Sequence, residues 1–288
     1  MKLLNFVLEG KPRLGLLVPG GVVDVSAVLP ELCSTDQLIL RGEAGLAAVK
    51  RLGEESHPLL NEEDICYAPA VLSPQLVLCV GLNYKAHVEE AVQLQQSLPA
   101  APVWFNKFAS SLVGHRQQVP LCPVARQHDA EAELVAVIGR AGWNIKKQDA
   151  HAHLYGYTLG NDLSARDLQF RSSQWLIGKA LPGFGPLGPV LVPKEDIDEA
   201  ALDISGRING ELRQHGRAQD MLFDVDNLIA DASQFFHLQP GDLIFTGTPE
   251  GVIMGRKPPL EQNWLKVGDV VTVESSQIGV LSNTMVSY

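Results

Sequence analysis

Short runs rich in leucine, valine and isoleucine, most of them bounded by glycine or proline, constrain the fold of this chain more than any other feature. Residues 76–80, 134–138, 190–192, 243–245 and 270–273 have the β-branched content of strands. Helical periodicity is rarer. It is expected near Ala86, near Lys147 and after Asp224, where an Asp cap precedes apolar Leu228, Ile229, Ala232, Phe235 and Phe236 at helical spacing. Strands that do not alternate regularly with helices predict an α+β, mostly β fold rather than a doubly wound α/β sheet.

At the amino terminus, residues 14–18 and 22–26 flank Pro19-Gly20-Gly21 and predict a hairpin. Scattered apolar positions between Ser34 and Glu63 predict one or two short helices, and residues 67–70 read as a linker. The expected organisation is a small β-rich domain over 1–70 and a larger domain over 71–288. A chain of 288 residues can bury a core without a disulfide staple. Cys33, Cys66, Cys79 and Cys122 lack CxxC spacing and read as reduced, packed thiols.

Composition matters for partners. A formal charge of -10 with no local lysine-arginine stripe argues against a nucleic-acid partner. No apolar run reaches the roughly 18 residues of a membrane span, and the first residues turn polar at Glu9 before a signal-peptide core forms, so no membrane partner and a cytoplasmic location are expected. An acidic protein that takes an anionic metabolite needs local positive charge, from a metal ion or a few placed Lys and Arg.

Residues 129–139 (DAEAELVAVIG) predict a strand whose period of two puts Glu131 and Glu133 on one face. At about 4 Å two carboxylates repel by roughly 1 kcal/mol in water and about 4 at intermediate dielectric, and a cation reverses the sign. A solvated strand face is the competing reading of this segment taken alone. Asp162, at the polar end of another strand-like run, adds a third carboxylate, and an all-oxygen set suits Mg²⁺ or Mn²⁺. On a helix, His87 and Glu90 at i,i+3 form a base with its orienting carboxylate; an exposed pair without function is the alternative. Lys179 stands in apolar surroundings and needs an anionic partner if buried.

Three other patterns fail on context. Residues 183–188 fit GxGxxG, but no strand precedes them and a proline followed by a strand-like run stands where the helix should begin. His151 and His153, at i,i+2 on a helix, point apart. Neither a GxSxG elbow nor a Walker loop occurs.

Six ordered blocks, VGLNYKAHVEEA from 80, DAEAELVAVIGR from 129, GYTLGNDLSARDLQ from 156, GKALPGFGPLGPVLV from 178, INGELRQHGRAQDM from 208 and PGDLIFTGTPEGV from 240, resemble the fumarylacetoacetate hydrolase family. The resemblance implies a mixed β-roll with a few covering helices, usually a homodimer. It implies that Glu131, Glu133 and Asp162 bind Mg²⁺ or Mn²⁺, that His87 and Glu90 are the catalytic dyad, and that Lys179 contacts the reacting oxygen. Arg166, Gln169, Gly247 and Thr248 then line the substrate pocket, with a structural ion pair as the alternative for Arg166.

The implied reaction is hydrolysis of a C–C bond in a small 2,4-dioxo acid of the acylpyruvate type through a metal-bound enolate. Similar proteins instead decarboxylate oxaloacetate-like 2-oxo acids or isomerise unsaturated oxo acids, and a non-catalytic metal and oxo-acid binding protein is the reading of another class. Two departures from the family pattern, Gly114-His115-Arg116 and the stretch 251–259, are expected to border the pocket.

Overall fold

The computed structural model describes residues 1–85, 99–256 and 262–288. Its strands form a twelve-stranded sheet, a five-stranded sheet and a two-stranded pair, so the mostly β, α+β expectation holds. The predicted hairpin is present as Lys11–Val18 and Gly21–Asp24, with Val18 opposite Gly21. A further strand, Lys2–Leu8, pairs with Lys11–Val18 and, through Leu3 opposite Leu191, with Gly185–Pro193. The amino-terminal strands therefore extend the sheet that carries the rest of the molecule.

From Gly185–Pro193 that sheet continues through Leu154–Asn161, Ala132–Ile138, Leu243–Phe245, Val77–Gly81 and Val103–Asn106. Its core is buried on both sides. Leu134, Ala136 and Ile138 face one cluster with Ile204, Val273 and Leu228, while Val135 and Val137 face another with Leu3, Leu38 and Val49, as alternation along a strand requires. The first cluster is closed by the five-stranded sheet and the helix Val225–Phe235. The second is closed in part by the helix Thr35–Gly53, whose backbone leaves helical geometry at Gly42, so two helical pieces stand where one or two were expected.

Asp224 caps its helix by accepting from Asn227 N at 2.8 Å, and Leu228, Ile229 and Ala232 are buried as predicted. Phe235 is 65% exposed, whereas Phe236 beside it packs against the core. The helix expected near Lys147 is only the turn Lys147–Ala150, followed by a 3-10 turn. The helix expected near Ala86 lies outside the described residues. No helix among the described residues is long and apolar enough to cross a membrane.

The segment around His115 ties the amino-terminal residues to the last strand. His115 Nδ1 accepts from Ser282 N at 3.0 Å and its ring meets Tyr67 edge-on at 4.8 Å. Arg116 donates to Glu63 Oε1 at 3.0 Å and to the Glu62 carbonyl at 3.3 Å.

Candidate metal centre

Ala132–Ile138 and Leu154–Asn161 run antiparallel with Ala132 opposite Asn161 and Glu133 opposite Gly160. The ladder continues one step beyond the strand, where Asp162 N donates to the Glu131 carbonyl at 2.9 Å. That step sets Asp162 beside the two glutamates. One carboxylate oxygen from each of Glu131, Glu133 and Asp162 lies within 4.8 Å of the others, and all three residues are buried. Glu131 precedes the strand by one residue, yet the period-two expectation of convergence with Glu133 is met.

Three buried cationic side chains surround the cluster. Lys179 Nζ donates to Glu131 Oε2 and to Asp162 Oδ2, each at 2.6 Å, and lies 4.9 Å from the centre of the Phe105 ring. Lys107 Nζ lies 2.7 Å from Asp162 Oδ1 and donates to the carbonyls of Leu163, Lys179 and Phe184. Arg166 donates to Asp129 and Glu131, with Nη2 at 2.8 Å from Asp129 Oδ2 and 2.5 Å from Glu131 Oε1, and Nη1 at 3.0 Å from Gln169 Oε1.

These partners set the protonation states. Burial alone would raise the Glu131 carboxyl, but Arg166 and Lys179 overcome it and hold Glu131 well below the usual range. Burial pushes Glu133 well above that range, and Asp162 and Glu131 push it further. Asp162 is raised by burial, an effect that Lys107 and Lys179 offset only in part. Burial would lower Lys179, but the charges of Asp162 and Glu131 prevail and keep it an ammonium.

Glu133 is the carboxyl without a cationic partner among the described residues. Its Oε2 accepts from Gly247 N at 2.9 Å. Asp162 Oδ1 is buried without a hydrogen bond, its lysine neighbour standing out of line. A carboxyl without an ion pair, beside a carboxylate oxygen that Lys107 meets by charge and not by a hydrogen bond, in an all-oxygen set, fits a divalent cation.

The other pocket candidates converge on the same centre, though their polar groups are engaged. Thr248 Oγ1 donates to the Ala132 carbonyl at 2.8 Å and accepts from Gln214 Nε2 at 2.7 Å. Gly247 adopts a φ of +96°, and a Cβ there would stand 2.8 Å from Asn83 Cβ, so glycine is required where the backbone reaches Glu133. Gln169 and Arg166 are both buried and bonded to each other. His87 and Glu90 lie outside the described residues.

Sequence reasoning missed Lys107, Asp129 and Gln214. Lys107 carried the signal that exposed Lys179, a lysine among aromatic and apolar residues (VWFNKF). Asp129 is the third acid of the period-two series 129, 131, 133. Gln214 lies in the stretch INGELRQHGRAQDM from 208, but nothing local indicates that it joins Ala132 N, Thr248 and the Pro249 carbonyl.

Residues 76–286 match the model of the fumarylacetoacetate (FAA) hydrolase C-terminal family. Human mitochondrial oxaloacetate tautomerase FAHD2A is 42% identical over 96% of this chain and 88% of its own length. The mitochondrial oxaloacetate tautomerase fahd2 of Xenopus laevis is 39% identical over 99% of the chain and 90% of its own. Among solved structures, fumarylacetoacetate hydrolase from psychrophilic Exiguobacterium antarcticum superposes with a TM-score of 0.82 at 33% identity, covering 100% of both chains. Maleylpyruvate hydrolase from Sphingobium sp. SYK-6, in complex with manganese(II) and pyruvate, gives 0.79 at 26% identity, covering 100% of this chain and 99% of its own.

Proposed function

Because the chain belongs to the fumarylacetoacetate hydrolase family, we propose that it is a divalent-metal enzyme that moves a proton between the keto and enol forms of a small 2-oxo diacid of the oxaloacetate type. The observation that carries this reading is Lys179. Two of its three N–H groups go to Glu131 and Asp162 while its charge stands over the Phe105 ring, so in this reading the remaining N–H would serve an oxygen that gains negative charge beside the cation. Such a site stabilises an enolate.

When bound, Mg²⁺ or Mn²⁺ on Glu131, Glu133 and Asp162 polarises the 2-oxo group. Lys107 spends its donors on three carbonyls, so it fixes the Lys179–Phe184 segment and neutralises Asp162 without reaching for substrate. Thr248 and Gln214 likewise hold the strand behind the ligands. We assign removal of the C3 proton to His87, with Glu90 as its partner carboxylate, and delivery of that proton to the 2-oxygen to the same pair. Tautomerisation needs only this transfer.

The long relatives named oxaloacetate tautomerase favour this reaction over C–C hydrolysis. Hydrolysis of an acylpyruvate is the second reading, favoured by the likeness to maleylpyruvate hydrolase; there the dyad would direct water at the 4-oxo carbon. The relatives' names place those proteins in mitochondria, which stands against the cytoplasmic expectation for this chain.

The test follows enol absorbance of oxaloacetate with Mg²⁺ or Mn²⁺, beside CO₂ and pyruvate release and acylpyruvate cleavage. We expect faster keto–enol equilibration without net consumption, and a loss of roughly 10² to 10⁴ in His87→Asn with metal binding retained. Rapid acylpyruvate cleavage with no acceleration of tautomerisation would reverse the order of the two readings.

A further inference from the structure

Asp129 lies outside the three-carboxylate cluster, is fully buried, and collects five hydrogen bonds from three directions. Oδ1 accepts from Ala130 N at 2.8 Å and Ile253 N at 2.9 Å. Oδ2 accepts from Met254 N at 3.1 Å, Arg166 Nε at 3.0 Å and Arg166 Nη2 at 2.8 Å. Nothing in a strand series of acids requires such a hub.

We propose that Asp129 is a positioning residue that couples the segment 252–256 to the metal ligand Glu131 through Arg166. The proposal rests on Glu131 holding a cation. Ile253–Gly255 is a single 3-10 turn whose leading residue, Val252, offers no side-chain cap. The first N–H groups of such a turn have no internal partner, and Asp129 satisfies those of Ile253 and Met254. The same carboxylate fixes the plane of the Arg166 guanidinium, whose Nη2 then reaches Glu131 Oε1. With Oε1 held there, Glu131 Oε2 turns to Lys179 and the cluster. Three residues separate the segment from Thr248, and its placement and the orientation of a ligand share one carboxylate.

Asp129→Asn keeps the shape but replaces an acceptor with a donor facing N–H groups. It also removes a charge, which by itself weakens cation binding, so a charge-neutral break is needed. Ile253→Pro supplies it by deleting one N–H that Asp129 accepts. Val252, at φ -60° and ψ 152°, already has the extended backbone that precedes proline. Ile253→Ala loses the same buried side chain and keeps the N–H.

Calorimetric titration of the full chain with Mg²⁺ is expected to give 10–100-fold weaker binding in Asp129→Asn, the usual cost of losing a partner behind a ligand. Ile253→Pro should bind roughly five-fold more weakly than Ile253→Ala, the share of one hydrogen bond. Because coupling is reciprocal, Mg²⁺ should slow amide hydrogen exchange over 252–256 in the unmodified protein and not in Asp129→Asn. Equal affinities for the two Ile253 variants would reduce Asp129 to a charge and overturn the coupling, as would unchanged exchange in the unmodified protein. Failure of the unmodified protein to bind Mg²⁺ or Mn²⁺ would remove the metal reading, and the proposal with it.

Discussion

Replacing Lys179 by methionine separates its two tasks, because the ammonium is both a fixed counter-charge and a donor. In the metal-free protein its loss leaves Glu131 and Asp162 without a shared cation at 2.6 Å. Removing one partner of a buried ion pair costs about 3–5 kcal/mol. Here the lower end applies, since Glu131 keeps Arg166 and Asp162 keeps Lys107. About 3 kcal/mol corresponds to a fall in Tm of roughly 5 °C for a chain of this size. A divalent cation at 100 times its dissociation constant returns about 2.7 kcal/mol, so it should restore most of that loss.

Thermal unfolding of Lys179→Met in chelator and in excess Mg²⁺ or Mn²⁺ measures both effects, and turnover of the metal-loaded variant measures the donor. We expect low Tm in chelator, near-complete recovery with metal, and no recovery of activity. If the variant in chelator unfolds at the temperature of the unmodified protein, the ion pairs do not support the fold. Full activity with metal would show that the remaining N–H of Lys179 does not meet the reacting oxygen.

Gly247→Ala should lower Tm and weaken metal binding together, because its φ of +96° and the Asn83 Cβ 2.8 Å from the new methyl group leave no relaxed position, and Asn83 is itself bound to Phe223 and Thr246. Calorimetry and melting in chelator check both, at about 1–2 kcal/mol for the backbone alone. Burial and the neighbouring Arg116 lower His115 to about 4. The folded state therefore binds fewer protons than the unfolded one between about 4 and 6.5, so stability from this group is complete above 6.5 and is lost as pH falls through 4. His115→Asn should flatten the acid limb of a denaturation-against-pH curve by an amount on the order of 3 kcal/mol, and an unchanged limb would place the acid sensitivity elsewhere.

Strands were the most legible part of the fold. The runs at 134–138 and 243–245 are strand residues, as their β-branched content implied, because a sheet covered on both faces admits little else. Lys2–Leu8 was less visible, although it joins the amino-terminal strands to the main sheet through the single register pair Leu3 and Leu191. Pairing across that distance leaves no local mark. The same holds at the centre: Glu131 and Glu133 are readable from a period of two, but Asp129 lies on the same series and serves Arg166 and the 252–256 segment instead. Periodicity assigns a face and not a partner. The segment around His115 was expected at the pocket, yet its contacts run to Tyr67, Glu62, Glu63 and Ser282.

On the proposed reading, the balance of charge would let one centre serve several reactions of 2-oxo acids. Asp129, Glu131, Glu133 and Asp162 stand against Lys107, Arg166 and Lys179, a surplus of one negative charge when all are ionised. A dication turns that surplus positive by one, and the carboxylate beside a 2-oxo group cancels it. On the proposed reading, negative charge developing on the 2-oxygen would be met by a cation on the three carboxylates and by Lys179, whatever bond or proton released it. The second carboxylate of a diacid falls outside this balance, because Lys107 and Arg166 are already bonded to the protein. Recognition of the far end of the substrate must therefore come from residues beyond the centre, so that exchange of those residues can change the substrate while Glu131, Glu133, Asp162 and Lys179 stay as they are.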